Sequence, residues 1–203
     1  MPAVNKASRR ANASRRANAA HRASDNRERL LEAGARLFAT RGISGVSVAD
    51  VLTEATLSRA TFYGFFANKN ELAAAVLMPV FESGFLALDK LCELPPHEAA
   101  EGLIDTYLYL WHEHKNALLL TGIVDSAVFP YIASQHQLFN EALHSILQVI
   151  EAGGLLRNDS AELTLEVLAK TGIPLLRIYS NHAEREKLYR ESMQALIIKT
   201  LPA

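Results

Sequence analysis

Cysteine is almost absent: Cys92 is the only one among 203 residues. That excludes an intrachain disulfide and a CxxC metal site, and a reducing cytoplasm is the simplest home. No apolar run approaches the ~20 residues of a membrane-spanning helix. The N-terminus lacks the apolar stretch of a secretory signal. No P-loop, GxGxxG, HExxH or GxSxG occurs, so no enzyme is expected and no catalytic residue or cofactor is assigned. The seven histidines show no ligand spacing. His112 and His114, two apart, do not share a helical face, and no metal is expected. His136, Asn140 and His144 do share one, at i, i+4 and i+8. The apolar face of that helix, at Leu143, Ile146, Leu147 and Ile150, lies elsewhere, so the stripe reads as solvated. No period-2 strand is evident, and the class is all-α.

Hydrophobic residues make up 49% and charged residues 21%, ample for a globular core. The net charge of −1 conceals an asymmetry. Residues 1–70 hold 12 Lys and Arg against 5 Asp and Glu, whereas residues 71–203 hold 9 against 17. A basic head on an acidic body points to a polyanionic partner for the head alone. The first 24 residues repeat SRRANA and carry Lys6, Arg9, Arg10, Arg15, Arg16 and Arg22 without one acid. They read either as a flexible, solubilising tail or as a basic arm that grips phosphates or enters a minor groove.

Asp25 and Glu28 suggest a capping box at the start of a first helix, whose apolar face is Leu30, Gly34, Leu37 and Phe38 and whose end is Gly42. Ser47 with Asp50 opens a second helix, Ala55-Thr56-Leu57 is a turn, and Ser58 caps a third anchored by Phe62, Phe65 and Phe66. Asn68 with Glu71 caps a fourth helix, in which Pro79 predicts a kink or a split. After Pro95-Pro96, helices are expected at about 97–114, 116–128, 131–152, 160–180 and 184–200. The domains follow: residues 1–24 a basic, flexible arm, 25–70 a helix-turn-helix domain, and 71–203 a helical domain.

A helix-turn-helix presents its second helix to a DNA major groove. The expected contact set is Ser47, Ser58, Arg59, Thr61, Tyr63, Gly64 and Lys69. Arg59 offers the two-pronged donor that reads guanine. The hydroxyls of Thr61 and Tyr63 suit phosphates, and Lys69 at a helix N-terminus suits another. The arm contributes Arg9, Arg10, Arg15, Arg16 and Arg22. Ser47 reads foremost as a cap, and Phe62 and Phe66 as core.

Residues Arg29–Leu72, RLLEAGARLFATRGISGVSVADVLTEATLSRATFYGFFANKNEL, resemble the tetracycline-repressor (TetR) family of bacterial transcription regulators. The spacing of Tyr63, Phe66 and Lys69 is the most specific part. GGLLRNDS at 153–160 and TGIPLLRIY at 171–179 form a softer match. Many members have glycine in the turn where this chain has Thr56. Val48 and Ala49 stand where some members offer a polar contact.

The resemblance implies a cytoplasmic homodimer on palindromic double-stranded DNA, and a C-terminal cavity for a small-molecule effector that releases a repressor. Apolar stripes at Leu163, Val167, Leu168, Leu175 and Leu176, and at Leu188, Leu196 and Ile197, suit a four-helix dimer interface. The aliphatic and aromatic content suits an apolar or aromatic effector. The candidate cavity residues are Tyr107, Trp111, Phe129, Tyr131, Phe139, Arg177 and Tyr179. Arg177, inside an apolar run, requires a partner if buried, either an acid across the dimer or an anionic ligand, and the structural pair is the favoured one. An effector-independent DNA-binding or architectural protein is the alternative, and it predicts a filled C-terminal core.

Overall fold

The computed structural model describes residues 3–122, 124 and 126–199, and of residues 3–13 the helical backbone alone. Eight helices are described: α1 (Ala3–Arg41), α2 (Val48–Ala55), α3 (Arg59–Tyr63), α4 (Lys69–Asp89), α5 (Pro96–Thr121), α6 (Phe129–Ala152), α7 (Ala161–Tyr179) and α8 (Arg185–Ile197). Among the described residues there is no β-strand, only an isolated antiparallel bridge between Leu156 and Ile198. The chain divides into two compact units, Met1–Val76 and Leu77–Ala203.

The first unit is built on α1, α2, α3 and the first two turns of α4. Leu30, Ala33, Leu37 and Phe38 of α1 are buried, with Val51 and Leu52 of α2, Phe62 of α3 and Leu72 of α4. The expected start at Asp25 is not a helix boundary. The helix is already formed at Ala3 and passes through Asp25 without interruption. Alanine supplies the highest helix propensity, and the repeat contains neither glycine nor proline to stop it. At the other end Gly42 adopts φ +72° and closes α1 as its sequence position suggests.

Caps fix the next three starts. The Ser47 hydroxyl accepts from Asp50 N–H (3.1 Å) while the Asp50 carboxylate accepts from Ser47 N–H (2.8 Å), a complete capping box. Ser58 accepts from Thr61 N–H (3.2 Å). Asn68 accepts from the amides of Asn70 and Glu71, and Glu71 reaches back to Ala67 N–H (2.6 Å). The turn between α2 and α3 closes as a Schellman motif. Leu57 N–H donates to Leu52 C=O and Thr56 N–H to Thr53 C=O.

In the second unit α5 packs against α6, α7 and α8, α6 against α7, and α7 against α8. The two helices expected over 97–114 and 116–128 are one element that ends at Thr121 and is broken at His114 (φ −133°, ψ 31°). The His114 ring meets the Ser83 hydroxyl of α4 at 3.0 Å. Pro79 neither splits nor ends α4, because it stands on an exposed face where its lost amide bond is tolerated. By length and composition α4 is also apolar enough to cross a membrane, contrary to the reading of the sequence. Half of its most apolar window is buried, with Leu77, Val80, Phe81 and Leu88 in the core of the second unit. The expected stripes on α7 and α8 divide. Leu168, Leu176 and Ile197 are buried in the unit's own core, whereas Leu163 and Leu196 are exposed, as is Ile178, which lies outside the expected stripe.

Thr56 holds the left-handed conformation (φ 53°, ψ 49°) that the Schellman turn requires. For a residue with a Cβ this costs roughly 1–2 kcal/mol, and glycine's greater freedom when unfolded returns part of it. Thr56→Gly should therefore raise the stability of the first unit by about 0.5–1 kcal/mol. Chemical denaturation measures this, and an unchanged or lower midpoint would contradict the strain.

Candidate nucleic-acid interface and effector cavity

The geometry of the first unit separates an inner from an outer side of α3. Phe62 is fully buried, and its ring meets Tyr63 edge-on (5.3 Å between centroids) and Phe66 at 5.8 Å. That anchor leaves Tyr63 55% exposed and Arg59 exposed beside it. Ser58 and Thr61 share a hydroxyl–hydroxyl contact of 2.9 Å. Gly64 is exposed at the end of α3, its amide donating to Ala60 C=O. Arg59, Thr61, Tyr63 and Gly64 are thus brought together, with Ser58 at the helix start. Ser47 is a cap at the start of α2.

Lys69 has a different place from the one its sequence suggested. Its ammonium donates to three backbone carbonyls of the α1–α2 turn: Ile43 (2.9 Å), Ser44 (3.3 Å) and Val46 (2.8 Å). An ammonium has three donors, and here all three serve the turn, so Lys69 acts as a clamp between α4 and the α1–α2 turn. Arg29 does similar work, donating to Ala55 C=O at the C-terminus of α2 (2.6 Å). Arg36–Glu54 (2.8 Å) and Arg41–Asp50 (3.4 Å) add exposed ion pairs between α1 and α2. The guanidinium of Arg27 lies over the Phe66 ring at 5.8 Å.

The arm residues Arg15, Arg16 and Arg22 are exposed on α1. Arg9 and Arg10 fall on its backbone-only part, so their side chains lie outside the described residues.

The Asp50 carboxyl is held below its ordinary range by the hydrogen bonds from Ser47, aided by Arg41. Its folded pKa is depressed, so its contribution to stability is full above the unfolded value of about 3.9 and is lost as pH falls through the lower folded value. Asp50→Asn should flatten this part of the acid denaturation curve below about pH 4.

The second unit contains a cavity of about 530 Å³. Of the residues expected there, Tyr107, Phe139 and Arg177 line it. The other four do not. Trp111 is buried in the core with Lys115 Nζ 5.1 Å from its ring centroid. Phe129 is exposed on a shallow groove of α6, and Tyr131 is exposed near the start of that helix. The Tyr179 hydroxyl meets Ser192 at 2.9 Å and so joins α7 to α8. Their positions follow from helical phase, which aromatic content alone does not reveal. His136 and Asn140, read as solvated, stand on the cavity wall instead. Their i, i+4 spacing was the only sequence signal for this. Asn140 Nδ2 lies 3.2 Å from the His136 ring, Phe81 and Phe129 flank that ring edge-on, and burial lowers the His136 pKa. Arg177 is exposed, donates to Leu119 C=O (3.3 Å) and meets no carboxylate of its own chain among the described residues.

Residues 30–76 match the family profile of bacterial regulatory proteins, tetR family. A comparison with curated protein sequences finds no match. Several solved structures share the fold. The ketosteroid transcriptional regulator KstR2 of Mycobacterium tuberculosis superposes with a TM-score of 0.70 at 20% identity, covering 86% of this chain and 95% of its own. The TetR family transcriptional regulator PfmR of Thermus thermophilus gives 0.70 at 19%, covering 87% and 98%. SmeT in complex with triclosan gives 0.64 at 16%, covering 88% and 96%.

Lys69→Met should cost about 2 kcal/mol, because it leaves carbonyls of the turn without a charged donor. Thermal unfolding measures the loss. At temperatures where the variant is folded, the salt dependence of DNA binding should be unchanged. A slope lower by about one would return Lys69 to the phosphate contacts.

Proposed function

We propose that the chain is a tetR-type regulator, a cytoplasmic, homodimeric repressor released from a palindromic operator by a small effector; the match of residues 30–76 to the tetR family profile supports this reading. One observation carries the DNA end: Phe62 anchors α3 inward while Arg59 and Tyr63 stand exposed on it. Arg59 reads a guanine through O6 and N7. Thr61, Tyr63 and Ser58 contact phosphates, Ser47 adds a hydroxyl at the start of α2, and Gly64 lets the backbone come close. The basic extension of α1, with Arg9, Arg10, Arg15, Arg16 and Arg22, adds phosphate contacts outside the major groove.

Two such units reading two half-sites require a two-fold dimer. The exposed Leu163, Ile178 and Leu196 on α7 and α8 supply apolar surface for it. The domain organisation follows: a basic extension at 1–24, a DNA-reading domain at 25–70, and an effector and dimer domain at 71–203. The cavity favours an effector-responsive regulator over an effector-independent one, whose core would be filled. Triclosan in the SmeT complex is a small aromatic ligand on the same fold. Catalysis has no part in this reading.

Selection from random duplexes by the full chain tests the DNA end. The wild type should recover a palindrome. Arg59→Ala should lose preference at one base pair per half-site, about 1–3 kcal/mol of discrimination. Tyr63→Phe should weaken all sequences alike. Deletion of residues 1–24 should flatten the salt dependence by about 0.9 per lost phosphate contact. Recovery of no preferred sequence by the wild type would overturn the proposal.

A further inference from the structure

The polar groups of the cavity narrow what can occupy it, and the inference drawn from them rests on the effector reading above. Tyr107 is only 6% exposed and stands on the wall. Its ring lies against α7 where a side chain is missing: a Cβ on Gly172 would come within 2.9 Å of Tyr107 Cε1. Behind it, the Tyr189 ring of α8 is 6.4 Å away. The Tyr107 hydroxyl makes no hydrogen bond among the described residues. Burial pushes its pKa up, so it remains a neutral donor. A donor that faces the cavity without a protein acceptor is available to a molecule bound there.

Arg177 follows Gly172 by five residues on the same helix, about 7.5 Å along its axis. It meets no carboxylate among the described residues. Glu166 also lines the cavity, but it lies 11 residues before Arg177, about 16 Å toward the other end of α7. Burial keeps His136 uncharged near neutrality, so Arg177 is the cation of this wall. Thr121 and Asn140 are polar, and the rest of the wall is largely apolar, with Phe81, Leu110, Leu118, Leu143, Leu168 and Ile173. A cavity of about 530 Å³ holds a ligand of ordinary small-molecule size.

We propose that the cavity takes an amphipathic carboxylic acid: a flat apolar body among the aliphatic and aromatic walls, a hydroxyl or carbonyl oxygen accepting from Tyr107, and a carboxylate on Arg177. The two oxygen groups are separated by on the order of 8 Å, as the spacing along α7 requires. Arginine suits the acid end because its planar fork matches a carboxylate in two-point geometry.

The test uses the full chain and three probes, 6-hydroxy-2-naphthoate, its methyl ester and 2-naphthoate, with affinities from titration calorimetry. The hydroxy acid should bind, and both its ester and the acid lacking the hydroxyl should bind at least about tenfold more weakly. Arg177→Gln should remove the preference of acid over ester. Tyr107→Phe should bring the hydroxy acid down to the affinity of 2-naphthoate. Tyr107→Phe should also melt no lower than wild type without ligand, since it removes a hydroxyl that has no partner. An ester as tight as the acid, with DNA still released by it, would overturn the acid assignment and leave the effector reading standing. Binding of none of the three would overturn the acid assignment, and DNA release by a neutral apolar compound would then show whether the effector reading survives. Dissociation of the dimer in Arg177→Gln, read by sedimentation, would assign Arg177 to an acid of the other subunit and overturn the proposal.

Discussion

The first unit depends on cationic side chains that satisfy backbone carbonyls. In the α1–α2 turn the carbonyls of Ile43, Ser44 and Val46 converge, and Lys69 donates to all three from the first position of α4. The α2 C-terminus leaves Ala55 C=O open, and Arg29 closes it from α1. Each clamp spans more than 20 residues of sequence, so each fixes the placement of one helix against another. Side-chain packing alone would allow some rotation of such short helices. Charged donors at the helix ends remove that freedom, because the carbonyls they serve point in defined directions.

This arrangement explains why a five-residue helix can present a reading surface. α3 is too short to be stable by propensity. Phe62 and Phe66 hold it to the core, Ser58 caps its start, and the Schellman turn before it is kept even though Thr56 must adopt a left-handed conformation. That strain is tolerated at the joint that sets the angle between α2 and α3. The exposed Arg59 and Tyr63 are then held on an element whose other side has no alternative packing.

Capping residues made much of this legible from the sequence. Ser47 with Asp50, Ser58, Asn68 with Glu71, and Gly42 act locally, and each marks its boundary as read. Where the determinant is not local, the sequence says less. Lys69 looked free because its carbonyl partners lie 23 to 26 residues earlier in the chain. The start of α1 was misplaced because a good internal cap, Asp25 with Glu28, does not stop a helix when alanine continues upstream. In the second unit, aromatic identity pointed to Trp111, Phe129, Tyr131 and Tyr179, but the phase of each helix turned them to the core, the surface or a neighbouring helix. His136 and Asn140 reached the cavity by the same geometry.

The second unit carries a cost that the first does not. The Tyr189 hydroxyl is buried with no hydrogen-bond partner among the described residues, and the ring of Tyr107 packs beside it with its hydroxyl at the cavity wall. Both rings sit where α7 and α8 meet, and Gly172 is what allows Tyr107 to lie so close to α7. The same helix carries the exposed Leu163 and Ile178. The cavity wall and the proposed dimer face therefore share α7. A molecule that accepts from Tyr107 adds a hydrogen bond worth about 0.5–1.5 kcal/mol net, near the lower end of coupling energies between distant sites. It alters dimer geometry only to the extent that this contribution differs between two positions of α7. A packed helix has few such positions, and a difference of that size is enough to choose between them.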